Sequence, residues 1–295
     1  MVWLEQPSLD RELVPSLRGK RIGILGYGHL GKCLHATLES GQLDAEIRVF
    51  TRQNLTQLGS FEFDFFFNCA GTTGDYRSKI VETIEANTGL ATFLIRNLRV
   101  RESCTILSSS RVYGFYSDSS RVVDERDAAP DARDPEAFIY EGSKVLVEAM
   151  YQCLRAKLPY RVPIVRLTNV YGRFEPSQLN GATFLKLMLQ HARERTPMVV
   201  RQHPDSAKDY VFVDDAITGI LRAAVFSRET GCFNIGSGRG RTAREWIDWL
   251  GIEATYENAS STAEYCHVSI EKAQRVLGFR PQVEFCPREL LVRTA

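Results

Sequence analysis

A short apolar strand, a glycine-rich turn and a helix follow one another near the start of the chain. The strand covers residues 22–25, the turn has the pattern Gly26-x-Gly28-x-x-Gly31, and a helical pattern covers residues 32–38. In this arrangement the first glycine permits a tight turn, the second lets the backbone approach a pyrophosphate, and the third lets helix and strand pack closely. The free N–H groups at the helix start favour an anion. The segment therefore predicts a dinucleotide site.

Apolar strands alternate with helical patterns along most of the chain. Predicted strands cover residues 22–25, 47–50, 61–69, 105–107, 162–167, 210–213 and 232–235, and predicted helices cover 32–38, 79–98, 140–154, 182–193, 214–226 and 242–250. Polar segments at 117–137 and 174–181 are predicted to be loops. Thr242 and Glu245 predict a capping box for the last helix, and Gly251 its end. Such alternation indicates an α/β chain with a parallel sheet covered on both faces.

Composition excludes several classes of function. The 295 residues include 37 Lys and Arg against 36 Asp and Glu, which gives a formal net charge of +1. This balance does not favour a nucleic-acid partner, and no apolar run reaches the ~18 residues of a membrane helix. The acidic N-terminal segment, interrupted by Pro7, does not resemble a secretory signal. Seven cysteines without a CxxC pattern predict free thiols in a reducing, cytoplasmic compartment. The five histidines have no metal-site spacing, so we expect no metal.

The end of the second strand bears on which dinucleotide binds. An acidic residue there would bind the ribose hydroxyls of NAD. This chain has Thr51, Arg52 and Gln53 at that place. Because no carboxylate would repel a 2′-phosphate and Arg52 could pair with one, we expect NADP(H), with NAD as the lesser alternative. In the alternative interpretation, Arg52 is a solvated surface charge.

Two polar groups suggest proton transfer next to that dinucleotide. Tyr140 and Lys144 are four residues apart, on one face of a predicted helix. A nearby ammonium favours the phenolate, and lowering the pKa of a tyrosine from about 10 to about 7 requires roughly 4 kcal/mol. Such a phenol can exchange a proton with a carbinol oxygen. Three serines at 108–110 follow a strand and would face the ligand crevice, where a hydroxyl can bind the same oxygen.

These residues belong to a longer ordered series. It comprises the glycine turn, the strand end at 68–71, Asn87-Thr88-Gly89, SSSRVYG at 108–114, YEGSK at 140–144 with Glu148, RLTNVYG at 166–172, DYVFVDD at 209–215, FNIGSG at 233–238 and LGFRP at 277–281. In this series the chain resembles the extended short-chain dehydrogenases/reductases, the NAD-dependent epimerase/dehydratase group. The resemblance covers nearly the whole chain.

The resemblance implies a fold and an assembly. The expected fold is a Rossmann-type doubly wound parallel sheet with a small C-terminal α/β substrate-binding domain. Residues 1–172 and 209–240 would form the dinucleotide-binding domain, and residues 173–208 and 241–295 the substrate-binding domain. Members of the family usually act on nucleotide-linked sugars, and they often form homodimers through a helix bundle that includes the Tyr–Lys helix.

The resemblance also assigns roles to residues of this chain. Ser109 would be the catalytic serine, Tyr140 the acid/base, and Lys144 the residue that tunes Tyr140 and binds the nicotinamide ribose. The expected cofactor-binding residues are Gly26, Gly28, His29, Leu30, Gly31, Thr51, Arg52, Cys69, Ala70, Gly71, Thr72, Tyr140, Lys144 and Thr168. The expected substrate-binding residues are Ser110, Arg111, Asn169 and Arg173.

The chain also departs from the family pattern. Leu25 occupies the position of the family's first glycine, and the dozen or so residues between Arg52 and Asp64 leave no room for its third strand. Lys208 occupies the place of an arginine that often reaches the substrate diphosphate, and the segment 258–267 lacks the second such arginine. A ketone without a phosphate therefore stays open as a substrate.

The departures also narrow the reaction. Sugar 4,6-dehydratases have an Asp-Glu pair where this chain has Ser110 and Arg111, and the enzymes that make fucose use a Cys and a His where it has Arg111 and residues 173–174. What stays open is an NADP(H)-dependent ketoreductase or an NAD-dependent nucleotide-sugar 4-epimerase. A dinucleotide-sensing protein without catalysis is a third hypothesis, which has no need for Ser109, Tyr140 and Lys144 together.

Overall fold

The computed structural model describes residues 7–71, 76, 78–130, 135–173 and 184–283. Its helices are α1 (Val14–Leu17), α2 (His29–Ser40), α3 (Ile80–Ile84), α4 (Leu90–Asn97), α5 (Pro135–Leu154), α6 (Phe184–Glu194), α7 (Val213–Phe226), α8 (Ala243–Leu250) and α9 (Glu271–Leu277). Its strands are β1 (Arg21–Leu25), β2 (Glu46–Phe50), β3 (Phe63–Asn68), β4 (Val100–Ser109), β5 (Val122–Val123), β6 (Pro163–Leu167), β7 (Asn169–Tyr171), β8 (Met198–Val200), β9 (Ala207–Phe212), β10 (Gly231–Ile235), β11 (Gly240–Thr242), β12 (Ala254–Tyr256) and β13 (Tyr265–Val268).

Six parallel strands form the main sheet, in the order β10-β6-β4-β3-β1-β2. The inner strands are apolar on both faces, as a sheet covered on both sides requires; in β3, Phe65, Phe66 and Phe67 are all buried. The chain runs outward from β1 to β2 in one direction and from β3 to β10 in the other. This order confirms the predicted Rossmann-type sheet and creates a ligand crevice at the carboxyl ends of β1 and β3.

The structure of the sheet edge agrees with the small number of residues between Arg52 and Asp64 in the sequence. β2 is the last strand of the main sheet, and the 3₁₀ turn Leu55–Ser60 returns the chain from it to β3. No strand lies beyond β2 in the described part of the chain. Within those residues the chain therefore lacks the additional strand of the family pattern, as the spacing in the sequence predicted.

A second sheet lies outside the main one and contains β11, β9, β13 and β5 in that order, with β7 pairing with β9. β8 and β12 form a separate parallel pair. The strands β5, β7, β8, β11, β12 and β13 were not predicted, since segments of two to four residues have too little periodicity and depend on pairing with distant strands. The predicted division into two domains stays a prediction.

A helix is present at each predicted place, but α2 begins at His29 rather than at residue 32, and α1 and α9 were not predicted. Two further differences concern α5 and the segment after α3. α5 begins at Pro135, inside the predicted loop, because proline's fixed φ suits the first residue of a helix. The π-helical turn Glu85–Gly89 interrupts the helix predicted at 79–98. The capping box of Thr242 and Glu245 is confirmed, as is the helix end at Gly251. The loop predicted at 174–181 lies outside the described residues. Within the described ranges, no helix is long and apolar enough to cross a membrane.

Candidate active site

A side chain is excluded at two of the three glycines of the turn by contacts within the protein, but not at the third. Gly26 has a φ of +92°, and a Cβ there would lie 2.6 Å from the backbone nitrogen of Ala70. A Cβ on Gly31 would overlap the carbonyl oxygen of Gly26. A Cβ on Gly28 would meet no atom of the described chain within 4 Å. The protein's own packing thus explains Gly26 and Gly31, whereas Gly28 borders open space at the start of α2, as a pyrophosphate site requires.

α2 starts at the predicted residues His29 and Leu30. Burial lowers the pKa of His29 to about 4, although a hydrogen bond with the backbone of Gly172 opposes the shift. His29 is therefore neutral at pH 7. The attraction for an anion here comes from the N–H groups of the helix start rather than from a charged imidazole.

The ends of β2 and β3 border the same crevice. The backbone N–H of Thr51 donates to Asn54 Oδ1 at 2.7 Å, and Arg52 is exposed next to it. The backbone N–H of Ala70 donates to Asn68 Oδ1 at 3.2 Å, which fixes the turn after Cys69. A Cβ on Gly71 would lie 3.2 Å from Lys144 Nζ, so the end of β3 adjoins the Tyr–Lys helix. Thr72 lies outside the described residues.

The structure brings Ser109, Tyr140 and Lys144 together. Ser109 ends β4, and its hydroxyl lies close enough to the phenol of Tyr140 to lower the pKa of that group. Tyr140 and Lys144 are one turn apart on α5, and Lys144 Nζ lies 5.9 Å from the centre of the Tyr140 ring. All three are at the carboxyl end of the main sheet, which is where the sequence predicted them.

The ionisation of Tyr140 differs from the prediction. Burial raises the pKa of Tyr140, although the hydrogen bond with Ser109 and the charge of Arg111 oppose the shift. The ammonium of Lys144 donates to the carbonyl oxygen of Leu107 at 3.2 Å, and burial lowers the pKa of Lys144 to about 8. This direction is opposite to the lowering predicted for Tyr140 beside Lys144 and an oxidised nicotinamide, because the loss of hydration outweighs the effects of Ser109 and Arg111. A phenol with a raised pKa is protonated at pH 7.

The π-helical turn directs an amide toward α5. Asn87 Nδ2 donates to Ser143 Oγ at 2.9 Å, and the Ser143 hydroxyl donates to the carbonyl oxygen of Tyr140 at 2.8 Å. Asn87 was part of a recognised motif but received no role. A change of helical repeat by one residue has no clear signal in a single sequence.

The substrate side of the site contains Ser110 and Arg111 of the 3₁₀ turn Ser110–Tyr113. Ser110 is buried, and Arg111 donates through Nε and Nη2 to Glu141 Oε1 at 2.9 and 2.7 Å. The ring of Tyr76 stacks on that of Tyr140, with centroids 5.2 Å apart and an interplanar angle of 26°. Tyr76 had no signal in the sequence, because it is not part of a recognised motif.

The remaining predicted residues follow β6 and β7. Thr168 Oγ1 donates to Asp209 Oδ1 at 3.3 Å, and Asn169 Nδ2 donates to the backbone oxygen of Asp209 at 2.8 Å. Burial raises the pKa of Asp209 to about 6, against opposing hydrogen bonds from Ser237 and its neighbours. Asn169 is exposed, as a substrate contact requires.

Arg173, a predicted substrate-binding residue, forms an ion pair with Asp214. Its guanidinium donates to both carboxylate oxygens of Asp214, at 2.6 and 2.7 Å. Both charges act on Cys33 of α2, so this pair lies beside the glycine-turn helix. The structure therefore does not join Arg173 to Ser109 and Tyr140. Among the residues that the structure describes, no three metal-ligating side chains cluster, and six cysteines are free thiols.

Comparisons with known proteins bear on the family and the fold. A model of the NAD dependent epimerase/dehydratase family matches residues 13–236. A dTDP-4-dehydro-6-deoxyglucose reductase from Escherichia coli is 24% identical over 161 residues, 52% of this chain and 50% of that protein. A dTDP-6-deoxy-L-talose 4-dehydrogenase (NAD(P)(+)) from Kitasatospora kifunensis is 29% identical over 120 residues, 40% of this chain and 38% of that protein. The matches thus span half or less of these relatives.

Solved structures extend the similarity over the fold. An epimerase from Methanothermobacter thermautotrophicus superposes with a TM-score of 0.80 at 19% identity, over 96% of this chain and 93% of the other. At this identity the likeness shows the fold alone. Other structures of the same fold were solved with NAD or with NADPH.

Proposed function

Because the chain belongs to the NAD dependent epimerase/dehydratase family, we propose that it is an NADP(H)-dependent ketoreductase acting on a nucleotide-linked keto-deoxy sugar. This proposal depends on the proximity of Ser109 to the phenol of Tyr140, with Lys144 one turn further along the same helix. The similarity to a dTDP-sugar reductase and a dTDP-sugar dehydrogenase supports the substrate class.

In the proposed ketone reduction, Tyr140, Ser109 and Lys144 each have a separate role. A reduced nicotinamide bound in the crevice would supply the hydride that adds to the carbonyl carbon. Tyr140, protonated at pH 7, donates its proton to the carbonyl oxygen, and Ser109 donates a hydrogen bond to the same oxygen. The ammonium of Lys144 stabilises the phenolate that proton transfer leaves, and a solvent proton then restores the phenol. The products are the secondary alcohol and the oxidised dinucleotide.

The proposed cofactor is NADP(H). Gly26, Gly28 and Gly31 would hold the pyrophosphate, and Lys144 and Thr168 the nicotinamide half. Arg52 supports this choice because it is exposed just after β2, the edge strand of the main sheet, and none of the ion pairs of the described residues includes it. A guanidinium there suits a 2′-phosphate.

A 4-epimerase would use the same three side chains with NAD retained between turnovers. The exposed Arg52 favours the reductase, because a guanidinium beside the ribose suits NADPH, which a reductase exchanges at each turnover. Tightly bound NAD in the purified protein would support the epimerase, whereas exchangeable NADPH would support the reductase. A sensor would bind the dinucleotide without turnover.

The test is NADPH oxidation with a panel of 4-keto sugar nucleotides and simple ketones, compared with NADH. We expect turnover of at least one sugar nucleotide and a preference for NADPH, which Arg52→Glu reverses. Arg239→Glu, on the exposed loop before β11, is the matched control and leaves the preference unchanged. No turnover with any ketone overturns the reductase proposal, and an intrinsic preference for NADH overturns the role of Arg52.

A further inference from the structure

We propose that the open cleft between the C-terminal ends of α7 and α9 binds a small phosphate monoester with an apolar organic group. This α7–α9 cleft has a volume of about 650 Å³, which is typical of a small-ligand site. Arg161, which precedes β6, and Ser227, which follows α7, are among the residues that line it. The inference goes beyond the proposed function, because the cleft has no part in the reaction assigned to Ser109 and Tyr140.

The cleft lies at the amino end of the main sheet. The backbone N–H of Arg161 donates to the carbonyl oxygen of Glu102, near the start of β4, at 3.1 Å. From this end, the five residues of β6 run roughly 16 Å to the carboxyl end of the sheet. Ser109 lies at that carboxyl end, where β4 finishes. A ligand in the cleft therefore leaves the dinucleotide crevice free.

Arg161 has a half-buried charge to which no carboxylate of the described residues is hydrogen-bonded. Nη1 of its guanidinium donates to the carbonyl oxygen of Ser227. Burial lowers the pKa of Arg161, and the attraction of Glu102 opposes that shift without offsetting it. Glu102 itself accepts a hydrogen bond from Lys20 at 2.7 Å. Because a guanidinium has five N–H donors, Arg161 retains donors for an oxyanion.

The carbonyl groups that end α7 and α9 do not prevent an anion from binding. The C-terminal end of a helix has a partial negative charge, which hydrogen bonds from cations offset. Arg161 binds the carbonyl oxygen of Ser227, and Arg222 Nη1 donates to that of Leu277 at 2.9 Å. Arg222 also binds two carboxylates, of which Glu12 lines the cleft. Arg222 is thus neutralised and forms part of the wall.

Arg228 is the second cation available to a ligand. It lines the cleft and is exposed, and within the part of the chain that the structure describes it forms no ion pair, even with Glu229 beside it. A phosphate monoester carries a charge of about −1.5 to −2 at pH 7, which matches the guanidinium groups of Arg161 and Arg228 together. The phosphate oxygens also suit the planar fork of a guanidinium.

Ser227 and the apolar walls define the rest of the ligand. Ser227 is 1% exposed, and its Oγ has no hydrogen-bond partner among the described residues. Because buried hydroxyls nearly always have a partner, a ligand oxygen would satisfy this one after a rotation about the Cα–Cβ bond. Val225, Phe226 and Val276 give the cleft apolar surface, and Val276 is 40% exposed. Such surface suits the organic group of a monoester.

The test measures binding of phenyl phosphate by calorimetric titration, with and without saturating NADP⁺. We expect the wild type to bind phenyl phosphate with the same affinity in both cases, because the cleft is separate from the dinucleotide crevice. Inorganic phosphate, which lacks the apolar group, should bind about tenfold more weakly. Phenol, which lacks the charge, should give no heat of binding.

Single substitutions locate the site. Arg161→Gln should weaken phenyl phosphate binding about 10- to 100-fold, and Arg228→Gln, at an exposed position, about 3- to 10-fold. Val276→Glu, which places a carboxylate on the wall, should weaken it about tenfold or more. Ser227→Ala should weaken it about threefold without lowering the melting temperature, because the hydroxyl that it removes has no partner within the described residues. Arg195→Gln, exposed after α6, is the matched control and should leave the affinity unchanged.

The inference is overturned if phenyl phosphate does not bind up to roughly 10 mM, if NADP⁺ abolishes its binding, or if inorganic phosphate binds as tightly. It is also overturned if Arg228→Gln and Val276→Glu, both at exposed positions, bind phenyl phosphate like the wild type, so the test does not depend on the folding of Arg161→Gln. The proposed function fails separately, by the absence of NADPH oxidation with every ketone, since binding in the cleft requires no turnover.

Discussion

Burial sets the ionisation of the two titratable side chains at the centre of the site. It raises the pKa of Tyr140 and lowers that of Lys144 to about 8. For a phenol the neutral form is the acid, and for an amine it is the base, so loss of hydration shifts the two pKa values in opposite directions. At pH 7 the site holds a protonated phenol beside a charged ammonium, which is the state that ketone reduction requires.

The alkaline limit of activity should follow from Lys144. Because its pKa is lowered, the ammonium loses its proton as the pH rises through about 8, whereas Tyr140 is still protonated there. We expect kcat/KM for ketone reduction to fall tenfold per pH unit above that region. The profile is measured between pH 6 and 10, beside that of Lys144→Arg, whose residual activity should have no such limb. A wild-type profile that is flat to pH 10 would contradict this assignment.

The glycine turn yields a second prediction for single residues. Gly28→Ala should leave the melting temperature unchanged, because a Cβ there meets no described atom and φ is −76°. It should weaken NADPH binding about tenfold or more, or ~1.4 kcal/mol. Gly31→Ala should instead destabilise the fold, because its Cβ overlaps Gly26. Thermal unfolding and a fluorescence titration with NADPH measure the two effects. Equal affinity in Gly28→Ala and the wild type would exclude a pyrophosphate at this turn.

Among the elements, α5 is held to the sheet by a buried ionic network behind the site. Glu148 accepts a hydrogen bond from Ser108 at 2.5 Å and pairs with Arg166 at 2.6 Å. Arg166 in turn donates to the Tyr113 hydroxyl at 2.9 Å. These bonds join α5, β4, β6 and the turn that contains Arg111. The network therefore fixes the spacing between Ser109 and the Tyr–Lys helix.

Breaking this network should cost stability. Glu148→Gln leaves Arg166 buried with a neutral partner, and removal of one partner of a buried ion pair costs about 3–5 kcal/mol. We expect a loss near the lower end of that range in urea unfolding, since glutamine retains one acceptor. Glu229→Gln, at an exposed position between α7 and β10, should cost less than about 0.5 kcal/mol. A loss for Glu148→Gln as small as that of the control would show that the network does not support α5.

The sequence predicted the elements of the main sheet because their apolar runs and the glycine turn are local signals. It did not predict β5, whose two residues gain strand geometry only by pairing with β13. Tyr76 and Asn87 were also missed as site residues. Their contacts with α5 join residues more than 50 positions apart in the chain. Contacts between residues so far apart cannot be predicted from a single sequence. The pKa of Tyr140 had the opposite direction because burial is a property of the folded chain.

At the scale of the whole molecule, one face of the α3–α5 layer is apolar and exposed. Val81 on α3 is 63% exposed and Leu146 on α5 is 53% exposed, with Ile80, Ile84 and Phe138 nearby on the same two helices. Exposed apolar residues concentrated on packed helices mark an interaction surface. We propose that a second copy of the chain covers this face in a homodimer that includes the Tyr–Lys helix.

A charge on this face should prevent the dimer. Val81→Glu combined with Leu146→Glu should convert the protein to a monomer at micromolar concentration, because carboxylates would be buried between the copies. Sedimentation velocity measures the mass. Val276→Glu, on the exposed face of α9, is the control and should leave the assembly unchanged. A wild-type protein that sediments as a monomer would exclude this homodimer.

The central claim is that Tyr140 donates the proton during reduction of a ketone. Single-turnover oxidation of NADPH by Tyr140→Phe, on the ketone that the wild type reduces fastest, tests it most directly. We expect the rate to fall about 100- to 10,000-fold, with NADPH affinity and melting temperature close to those of the wild type. Tyr256→Phe, remote on β12, should react at the wild-type rate. A Tyr140→Phe protein that reduces the ketone within a few-fold of the wild-type rate would contradict the claim.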